Sequence, residues 1–555
     1  MRQLASAQGA TVKSTHPAKS SKSISYAVFS SKSMSTDQLI AKFKGRSNVV
    51  AVSANNYEHI STVPNDPQFP NQWEMQDSSG PGIDAPQAWD LTTGSSDVVV
   101  AVIDTGMAYT HVDLKDNVWA NPGEIAGNGK DDDGNGYVDD VHGIDVVDGT
   151  SDPWDDNGHG THVSGTIAAE GNNGIGVAGV SWKTKIMPLK FLDSNGYGSD
   201  DGAIACINYA IDMKVNRGVN LVAINASWGG GYADAALENA IQAAGDAGII
   251  FCAAAGNDGL DVDSTPEYPA AYPCSNIISV GASDSTDSAA SFSNYGATNV
   301  DLFAPGTNIL STYIKSQYTA PGSNDIFYDG MQAGAGNWTP SGTWAITDEL
   351  HHNGNLVWSD SPGGNYTNWE DSSLTSRVID LSKADPRDTM LSFYLSSNLR
   401  QGSAVLNVEA WDPNDQTWTF LDSYTGNQSG TCEIAVPASL LTNKFQLRFR
   451  LVTDGSPTAD GVYLDDIGIA SVPPNTYVAW NGTSMATPHV TGTVALLAAA
   501  SPTDSVAARI DRILSNVDQL SSLSGKCVTG GRLNVAKALE TCVIVSGVAP
   551  SSGFT

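Results

Sequence analysis

The feature that most limits the possible folds is an alternation of short apolar runs with helical stretches, which extends from residue 97 to about residue 313. Strands with one solvated face show a polar residue at every second position, whereas these runs are apolar at most positions, so both faces of their sheet must be covered. Such strands, separated by amphipathic helices, are typical of an α/β domain with a mostly parallel, doubly covered sheet. The predicted strands are Val98–Ile103, Lys185–Leu192, Asn220–Asn225, Ile249–Ala254 and Asn276–Val280, and the predicted helices between them are Asp201–Arg217 and Ala233–Ala247.

A different pattern occupies residues 316 to about 475. Apolar and polar residues alternate there, for example along Phe445–Leu451, and no helical periodicity is visible. Period-two runs separated by turn clusters indicate an all-β sandwich. Helical periodicity then returns, so the β segment is an insertion within the α/β domain. The helices predicted after the insertion are Ser484–Ala500, Ser505–Ser515 and Leu533–Glu540.

The N-terminal segment is polar and basic, whereas the remainder of the chain is acidic. It contains a strand-like run at Ile24–Ser30, a helical stretch at Thr36–Phe43 and a second strand at Val49–Val52, and a turn-rich linker surrounds Pro64–Trp73. We therefore expect five segments: an N-terminal α+β segment with its linker at 1–62, the first part of the α/β domain at 63–315, the inserted β domain at 316–476, the second part of the α/β domain at 477–547, and a tail at 548–555.

The 555-residue chain carries a formal net charge of −32 and has a pI near 4.3. Such an acidic surface argues against nucleic acids and anionic membranes as partners. Two compatible interpretations of the acidity remain: a soluble extracellular surface, or carboxylates gathered around calcium. No stretch approaches the ~18 consecutive apolar residues of a membrane-spanning helix.

The six cysteines form no C-x-x-C pair of the kind that binds zinc. Cys527 and Cys542 lie close in sequence around a glycine turn, so theirs is the disulfide that proximity favours. Cys206 and Cys252 fall in apolar helix and strand patterns, which suits free, buried thiols.

Three short segments carry groups that catalysis can use. Asp104 ends the first predicted strand, at the edge where open α/β sheets place their ligands. His159 stands between two glycines where a helix begins, and Ser484 stands where another helix begins, within Asn481–His489. Each residue alone has a simpler interpretation, because a strand-end aspartate is often a cap, a lone histidine is usually solvated and Gly-Thr-Ser is common in turns.

Together and in this order, the three segments resemble the subtilase family. The resemblance covers residues 63–315 and 477–545. It implies a serine endopeptidase in which Ser484 is the nucleophile, His159 is the general base and Asp104 orients the imidazole.

The same resemblance extends to the groups that surround the reacting bond. Asn257, in the run Ala253–Gly259, resembles the residue that donates its amide to the oxyanion, and the backbone N–H of Ser484 would be a second donor. His162 lies one helical turn after His159 and is expected to be structural.

Two segments resemble the substrate-binding strands of the family, where a peptide backbone pairs as an added strand. Glu267 falls at the floor of the primary specificity pocket by the same correspondence. An acid there would favour lysine or arginine in the substrate, and a glutamate turned away from an apolar pocket is the open alternative. The residues of the two segments are Gly196, Tyr197 and Gly198, and Ser227, Trp228 and Gly229.

The acidic run that starts at Asp131 matches part of an EF-hand calcium loop. His142 replaces the closing glutamate, so a complete EF-hand is not indicated, but alternating oxygen donors around glycines suit a hard cation. A merely solvated acidic loop is the alternative. The candidate ligands are Asp131, Asp133, Asn135, Tyr137 and Asp139.

A second candidate calcium site follows from resemblance to the family's high-affinity loop. That loop comes after the helix of His159, and this chain has one extra residue before it, near Glu170. The resemblance implies carboxylates from Asp66 and Asp113, the side-chain oxygen of Asn173, and backbone oxygens of Gly171, Ile175 and Val177.

Subtilases are commonly made with an inhibitory propeptide, and Tyr26–Ile60 resembles the second half of one, with cleavage expected near Asn56–Pro67. The insertion resembles jelly-roll modules of secreted peptidases, most clearly at Asp460–Ile467. The pair Asp465–Asp466 in that run leaves two alternatives open: calcium binding, as is frequent in such modules, or a purely structural role.

We therefore expect a secreted, calcium-stabilised, monomeric serine endopeptidase that acts on proteins or peptides and is inhibited by its own propeptide. The first residues lack the apolar core of a signal peptide, so secretion would use a leader outside this sequence. Two other classes of function are an inactive relative whose insertion serves as a binding module, and a hydrolase that uses the same triad on esters. Loss of a triad group would favour the former, and none is missing.

Overall fold

A computed structural model of the chain divides into two compact units. The α/β unit comprises residues 1–314 and 477–555, and the β unit comprises residues 315–476. The structure describes residues 10–16, 26–31, 34–46, 49, 51–54, 62–76, 80–318, 320–350, 352, 354, 356–540 and 542–546.

The α/β unit is built on a nine-stranded sheet of order β24-β25-β10-β9-β8-β7-β4-β6-β5. All neighbours are parallel except β24 and β25, which are antiparallel at one edge. In chain order the strands of this sheet are β4 (Val99–Asp104), β5 (Ile144–Asp145), β6 (Lys185–Lys190), β7 (Leu221–Ala226), β8 (Ile250–Ala254), β9 (Ile277–Ser283), β10 (Leu302–Pro305), β24 (Asp518–Gln519) and β25 (Gly531–Arg532); β11 (Ile309–Tyr313) and β23 (Thr476–Trp480) form a separate pair.

Helices cover both faces of this sheet, which explains the apolar runs. Along the first strand and the residue before it, Val98, Val100 and Val102 pack into one hydrophobic core, and the intervening side chains pack into a second core on the opposite face. A strand buried on both sides needs apolar residues at successive positions. The described helices are α1 (Thr36–Phe43), α2 (Ala85–Trp89), α3 (His159–Ala168), α4 (Asp200–Val215), α5 (Ala235–Asp246), α6 (Thr483–Ala500), α7 (Val506–Leu514) and α8 (Val535–Leu539).

The strand order reverses at β4. From β4 the chain builds β5 and β6 on one side of the sheet and then crosses to β7 on the other side. The connections that follow neighbouring strands diverge at such a switch point, and they leave a crevice at the carboxyl ends of the strands. Asp104 ends β4 and Ala226 ends β7, so both residues border this crevice.

The N-terminal residues form a separate four-stranded antiparallel sheet of order β1-β2-β26-β3. One of its inner strands, β26, comes from the far end of the chain. The helix α1 begins with a capping box, in which Ser35 accepts the N–H of Gln38 and the Gln38 side chain accepts the N–H of Ser35. The strands are β1 (Thr11–His16), β2 (Tyr26–Ser30), β3 (Ala51–Ala54) and β26 (Cys542–Ser546).

The β unit consists of two antiparallel sheets. One has the order β14-β15-β22-β17-β20 with β12 also paired to β22, and the other has the order β13-β16-β21-β18-β19. The strands are β12 (Asp325–Asp329), β13 (Trp338–Pro340), β14 (Ala345–Thr347), β15 (Val357–Ser359), β16 (Asp371–Ser376), β17 (Thr389–Asn398), β18 (Ala404–Asp412), β19 (Thr417–Tyr424), β20 (Asn427–Ala435), β21 (Leu447–Thr453) and β22 (Gly461–Ser471).

Both sheets of the β unit contribute to one core. Phe393 of β17 and Phe449 of β21 are fully buried and contact each other edge to face, with ring centroids 5.0 Å apart. Along β21 the buried residues alternate with half-exposed ones, as expected for a sheet with one face inside. The period-two pattern of the sequence therefore corresponds to the two faces of these sheets.

The elements predicted from the pattern agree with the structure within a few residues. The helices predicted at Asp201–Arg217 and Ser484–Ala500 are observed at Asp200–Val215 and Thr483–Ala500. The pairing of Cys527 with Cys542 is wrong, because Cys527 carries a free thiol. The predicted free, buried thiols at Cys206 and Cys252 are confirmed, since each packs into a core where its neighbours are apolar.

Within the described residues, no helix combines the length and the apolar character needed to cross a membrane.

Candidate active site

Asp104 and His159 meet at the carboxyl edge of the sheet. The carboxylate of Asp104 is fully buried at the end of β4, and its Oδ1 lies 2.8 Å from Nδ1 of His159, the first residue of α3. The same oxygen accepts the N–H of Thr105 at 2.7 Å. The hydrogen bond to Asp104 assigns the proton of His159 to Nδ1 and leaves Nε2 as the basic nitrogen.

Asp155 fixes the first turn of the helix that carries His159. Oδ1 of this buried carboxylate accepts the N–H groups of Asn157 and Gly158, and Oδ2 accepts both the N–H and the hydroxyl of Thr161, at 2.6–3.0 Å. A carboxylate is well placed there, because the N–H groups at a helix start have no partners within the helix. Sequence analysis missed Asp155, although an aspartate just before a helix is a recognised capping signal.

The same carboxylate joins the helix to the strand. Oδ1 of Asp155 accepts the hydroxyl of Thr105, and that hydroxyl in turn accepts the N–H of Gly160 at 2.9 Å. A methyl group on Gly160 would lie 2.1 Å from the carbonyl oxygen of Gly106, so only glycine allows this approach. The strand end and the helix start therefore form one hydrogen-bonded assembly around His159.

The pKa of His159 is set by opposing effects. Burial of the ring lowers this pKa, because it disfavours the charged imidazolium. The charge and hydrogen bond of Asp104, with the charge of Asp155, raise it, and the net result is a pKa above the ordinary histidine value. The side chain nevertheless remains 24% exposed, so the ring can reach a group in the crevice.

Ser484 is the second residue of α6, and it lies beside the end of β7. Its hydroxyl donates a hydrogen bond to the carbonyl oxygen of Ser227 at 2.9 Å, and the hydroxyl of Ser227 donates to the carbonyl oxygen of Ser484 at 2.9 Å. In the described part of the chain, the Ser484 hydroxyl thus bonds Ser227 rather than His159. A proton transfer from Ser484 to His159 would require rotation of this hydroxyl about the Cα–Cβ bond, which is a common adjustment on substrate binding.

Asn257 follows β8 and is held by the helix of Ser484. Its Oδ1 accepts the N–H of Thr483 at 2.8 Å and the hydroxyl of Thr483 at 3.0 Å. Because Oδ1 is used in this way, the Nδ2 hydrogens of this exposed residue are the part of the amide left to face the crevice. The N–H of Ser484 belongs to the first turn of α6, whose donors the helix cannot satisfy internally.

His162 lies outside the group of candidate catalytic residues formed by Asp104, His159, Ser484 and Asn257. Its Nε2 contacts the carbonyl oxygens of Ile309 and Val478 at 3.0 and 3.1 Å, and its ring stacks on Trp480 with centroids 4.9 Å apart. Burial, followed by the nearby charge of His159, lowers the pKa of His162 to about 3, so this imidazole is neutral near neutral pH. The structural role expected for His162 is confirmed.

Glu267 lies between the predicted substrate-binding segment Ser227–Gly229 and the run Ala253–Gly259, which contains Asn257. A methyl group on Gly229 would lie 3.2 Å from its Oε1, and a methyl group on Gly256 would lie 3.2 Å from its Cγ. Gly230 and Tyr268 pair through two backbone hydrogen bonds of 2.8 Å, which close this side of the crevice. Burial, and then the charge of Asp258, raise the pKa of Glu267. The carboxylate is therefore half-buried beside Gly229 and Gly256.

The predicted segment Gly196–Gly198 is an exposed turn and not a strand of the sheet. The N–H of Tyr197 bonds Oδ1 of Asp193 at 2.9 Å, and its carbonyl oxygen accepts the N–H of Asp193 at 2.8 Å. The ring of Tyr197 is largely solvent-exposed. On the other side, Ser227, Trp228 and Gly229 continue directly from β7, and Trp228 donates its indole N–H to the carbonyl oxygen of Ile103 at 2.8 Å.

Comparison with known proteins agrees with this geometry. The model of the subtilase family matches residues 95–376 and 425–526, which is more than half of the chain. The chain belongs to the subtilase family.

Curated relatives carry names of the same kind. A thermophilic serine proteinase of Bacillus sp. (strain AK1) is 42% identical over 42% of this chain and 49% of its own length. Thermitase of Thermoactinomyces vulgaris is 37% identical over 46% of this chain and 78% of its own length. An extracellular protease of Xanthomonas campestris pv. campestris is 35% identical over 52% of this chain and 50% of its own length. This subtilase thus spans about half the length of the first and third of these relatives.

Three carboxylates of the subtilase meet in its acidic loop: Glu124, Asp131 and Asp133 offer oxygens within 4.8 Å of one another. Sequence analysis missed Glu124, which lies outside the motif, seven residues before its first residue, Asp131. Its Oε1 accepts the N–H groups of Asp132 and Asp133, while Oε2 is buried and has no hydrogen-bond partner among the described residues. Arg217 approaches Asp133 to 3.9 Å and offsets part of the negative charge.

The other predicted ligands of the acidic loop divide into two groups. Asn135 stays close, since its N–H bonds Asp131 and Asp133, and its Oδ1 accepts the N–H of Tyr137 at 2.8 Å. Asp139 turns elsewhere, because its carboxylate accepts the N–H groups of two residues earlier in the loop, Asn128 and Gly129. Glu124 therefore joins the cluster, and Asp139 does not.

The second predicted cation loop brings Asp66, Asp113 and Asn173 together. Asp66 accepts the N–H groups of Asn172 and Asn173, and Asp113 accepts the Asn173 amide at 2.9 Å and the N–H of Val177 at 3.0 Å. Burial raises the pKa of Asp113 to about 7, and the charge of Asp66 contributes to this shift.

The remaining predicted members of that site lie in the same loop. Oδ1 of Asn173 accepts the N–H of Ile175 at 2.7 Å, so the oxygen assigned to a cation is used inside the loop. Gly171 packs against Trp182 so closely that a methyl group there would lie 2.4 Å from the indole ring. Asp66 and Asp113 come from separate segments and face this loop together, and burial raises the pKa of both, so the pair is chemically suited to a cation.

We predict that replacing Asp104 or Asp155 by asparagine lowers the pKa of His159, because each change removes a negative charge that stabilises the imidazolium. NMR titration of the His159 ring measures this pKa directly. Asp156→Asn is the matched control: Asp156 is exposed, pairs with Lys190 and does not contribute to the pKa of His159. A folded Asp155→Asn protein with the wild-type pKa at His159 would contradict the role assigned to Asp155.

Proposed function

We propose that this subtilase is a serine endopeptidase in which Asp104, His159 and Ser484 form the catalytic triad. The observation that supports it best is the buried Asp104–His159 hydrogen bond of 2.8 Å, located at the topological switch point beside the start of the Ser484 helix. Family membership and the names of the relatives, which are proteinases or proteases, agree with this activity.

The proposed reaction begins when a peptide carbonyl enters the crevice and the Ser484 hydroxyl turns from Ser227 towards His159. Serine is a weak nucleophile at neutral pH, so Nε2 of His159 accepts its proton as Oγ attacks the carbonyl carbon. Asp104 stabilises the imidazolium that forms. His159 then gives the proton to the leaving amine, and the carbon–nitrogen bond breaks to leave an acyl group on Ser484. Water repeats the sequence and releases the acid.

Two donors would stabilise the tetrahedral intermediate. The oxyanion would accept hydrogen bonds from Nδ2 of Asn257 and from the backbone N–H of Ser484. The bond from Thr483 to Oδ1 of Asn257 supports this role, because it holds the amide so that its nitrogen faces the crevice before substrate arrives. Donors that are already oriented need no reorganisation during the reaction, which is the basis of their effect on the barrier.

The peptide backbone would lie between the Gly196–Gly198 turn and Ser227–Gly229, with the side chain before the scissile bond directed towards Glu267. An extended peptide can add to exposed backbone groups of this kind as a strand. The proximity of the Glu267 side chain to Gly229, at the end of the proposed substrate-binding segment, supports a preference for lysine or arginine at that position.

Calcium would stabilise the fold at the two acidic loops. The residues fit a hard cation. The first loop brings together three carboxylates, and one of them, Glu124, has a buried Oε2 without a hydrogen-bond partner among the described residues. The second site places the buried carboxylates of Asp66 and Asp113 beside Asn173. Glu124, Asp131 and Asp133 would hold one ion, with Asn135 beside them. Asp66, Asp113 and Asn173 would hold the other, together with backbone oxygens of Gly171, Ile175 and Val177. The ion supplies positive charge that neutralises these acids.

Three further parts of the proposal concern the whole protein. The N-terminal segment 1–62, with Tyr26–Ile60 as its second half, would be an inhibitory propeptide; the first half of the segment expected to be cleaved, Asn56–Pro67, lies outside the described residues. The two-sheet β unit would be a jelly-roll module. Secretion is supported by the acidic surface and by the printed name of the extracellular relative, and we propose a monomer.

The first prediction from this proposed function tests the catalytic triad. Ser484→Ala should reduce kcat/KM on an unfolded protein substrate by about 10⁶-fold, the magnitude known for removing the nucleophile of subtilisin itself. Asn257→Ala should cost 10²–10³-fold, again by analogy with subtilisin. Asp258→Asn, at the next exposed position, is the control and should retain activity. Cleavage of a simple ester with no activity on protein would instead indicate an esterase, and equal rates for wild type and Ser484→Ala would indicate an inactive relative.

The second prediction concerns specificity. A peptide library digested by the wild-type protein should show cleavage mainly after lysine and arginine, because their charge pairs with Glu267. Glu267→Gln keeps the size of the side chain and removes the charge, so it should reduce kcat/KM for lysine and arginine substrates at least tenfold while leaving leucine or phenylalanine substrates nearly unchanged. Cleavage after large apolar residues alone in the wild type would contradict this assignment.

The third prediction concerns calcium. In the Ser484→Ala background, which prevents self-digestion, a chelator should lower the unfolding midpoint of the α/β unit by roughly 5–15 °C if a site is normally well saturated. Glu124→Gln and Asp113→Asn should each remove part of this difference, and Asp454→Asn, which changes a half-exposed carboxylate of the β unit, should remove none. An unchanged midpoint with chelator would exclude a stabilising calcium ion.

A further inference from the structure

The β unit carries a second cluster of ionisable side chains that the proposed peptidase activity does not use. Asp465 and Asp466 are consecutive residues near the middle of β22, and they are 0% and 5% exposed. Neighbouring residues of a regular strand point to opposite faces of the sheet, so two adjacent carboxylates should not share one environment.

A β-bulge removes this conflict. Opposite Phe393 of β17, β22 has two residues instead of one, because Ser392 pairs with Gly468 and Tyr394 pairs with Asp465. Asp466 adopts a φ of 48°, a left-handed conformation that is uncommon for a residue other than glycine.

The bulge changes the direction of one side chain only. Leu464 and Ile467, which flank the two acids, both remain in the hydrophobic core. Core residues three positions apart are possible in a strand only when one extra residue lies between them. Both Asp465 and Asp466 therefore leave the core face, and the strained residue is the one that was redirected.

His352 completes the cluster. Its Nδ1 lies 3.0 Å from Oδ2 of Asp466 and 3.9 Å from Oδ2 of Asp465. One atom from each of the three side chains lies within 4.8 Å of the others. Two ligand atoms about 2.05 Å from a tetrahedral zinc ion are separated by about 3.3 Å, and the two observed distances lie on either side of that value.

An independent observation points to a ligand at the same place. A small cavity beside the cluster is lined by His352 and Asp466 together with Ser392, Tyr394 and Thr431. Ser392 is 1% exposed, and its hydroxyl has no hydrogen-bond partner among the described residues. A buried hydroxyl without a partner is costly, and one in the wall of a polar cavity has a natural partner in a bound ion or its water.

Two tyrosines orient the cluster from outside. Tyr328 donates its hydroxyl to Oδ1 of Asp466 at 2.5 Å, which leaves Oδ2 as the oxygen that faces His352. The ring of Tyr394 stacks on that of His352, with centroids 3.6 Å apart. Outer groups of this kind commonly fix the geometry of metal ligands.

We propose that His352, Asp465 and Asp466 bind a divalent transition-metal ion, with Zn²⁺ as the matching cation. The set of one imidazole nitrogen and two carboxylate oxygens suits zinc, whose fourth position would be a water facing Ser392. Calcium takes oxygen ligands and would leave the histidine without a role. The ion would hold the His352 segment against β22 and stabilise the β unit.

The test uses the full chain in the Ser484→Ala background, stripped of metal and saturated with calcium so that hard-cation sites are filled. Titration with Zn²⁺, measured by metal analysis after dialysis, should show one zinc per chain that His352→Gln and Asp466→Asn abolish or weaken at least tenfold. Replacement of zinc by Co²⁺ should give visible absorption bands of a tetrahedral site, and the same variants should remove them. The unfolding midpoint of the β unit should rise with zinc in the parent protein but not in His352→Gln or Asp466→Asn.

Two control variants keep this test decisive. Asp454→Asn removes a half-exposed carboxylate of the same unit, and His142→Gln removes a histidine of the α/β unit; both should bind zinc as the parent does. Ser392→Ala removes only the hydroxyl group, so this variant should still fold, and it should weaken zinc binding less than His352→Gln does. Folded His352→Gln protein with undiminished zinc binding, or zinc displaced by an equal concentration of calcium, would overturn the proposal.

Discussion

The Asp104–His159 hydrogen bond is the interaction on which the geometry of the α/β unit depends. A fully buried carboxylate is costly unless it is hydrogen-bonded, and here the compensating donors are the imidazole of His159 and the N–H of Thr105. The bond joins the last residue of a central strand to the first residue of a helix. The strand is fixed by apolar packing on both faces, so the position of the histidine is set by the core of the sheet rather than by a surface loop.

Asp155 makes this arrangement rigid. It satisfies donors at the start of α3 and at the same time binds the hydroxyl of Thr105, next to Asp104. Two buried carboxylates near one imidazole raise its pKa, which favours a histidine that accepts a proton, whereas His162 three residues later has neither carboxylate and is neutral. The same helix therefore carries one basic and one inert histidine, and the difference lies in their neighbours.

Sequence pattern predicted most of the elements around the site because their causes are local. An apolar run such as Val99–Asp104 and a periodic helix such as Thr483–Ala500 are specified by residues within the element itself. The two-residue strands, for example Ile144–Asp145, have no pattern long enough to detect. The position of Cys542–Ser546 inside the N-terminal sheet depends on residues more than 480 positions away, and no local signal contains it.

The candidate site residues also divide into those that a local motif identifies and those that only the folded chain brings together. Asp104, His159 and Ser484 stand in three short motifs whose combination and order along the chain could be recognised without knowledge of their spatial neighbours. Glu124 lies seven residues before Asp131 and joins the carboxylate cluster only because the loop folds back on itself. Asp139 was predicted as a ligand because alternate positions of an EF-hand loop face the cation. The loop does not follow an EF-hand path, and the Asp139 carboxylate instead accepts the N–H groups of Asn128 and Gly129.

The cluster in the β unit shows a further limit of pattern analysis. In a strictly alternating strand, one of Asp465 and Asp466 would lie in the core, and burial of that lone carboxylate among Leu464, Ile467 and their neighbours would destabilise the unit. One extra residue in β22 solves this problem, but a bulge is defined by the register of two strands and not by the sequence of one. Adjacent buried carboxylates in a strand lower the stability of the fold unless a partner compensates their charges. A bulge that forces a non-glycine residue into left-handed conformation, so that two carboxylates face a histidine, is therefore better explained by a bound cation than by packing.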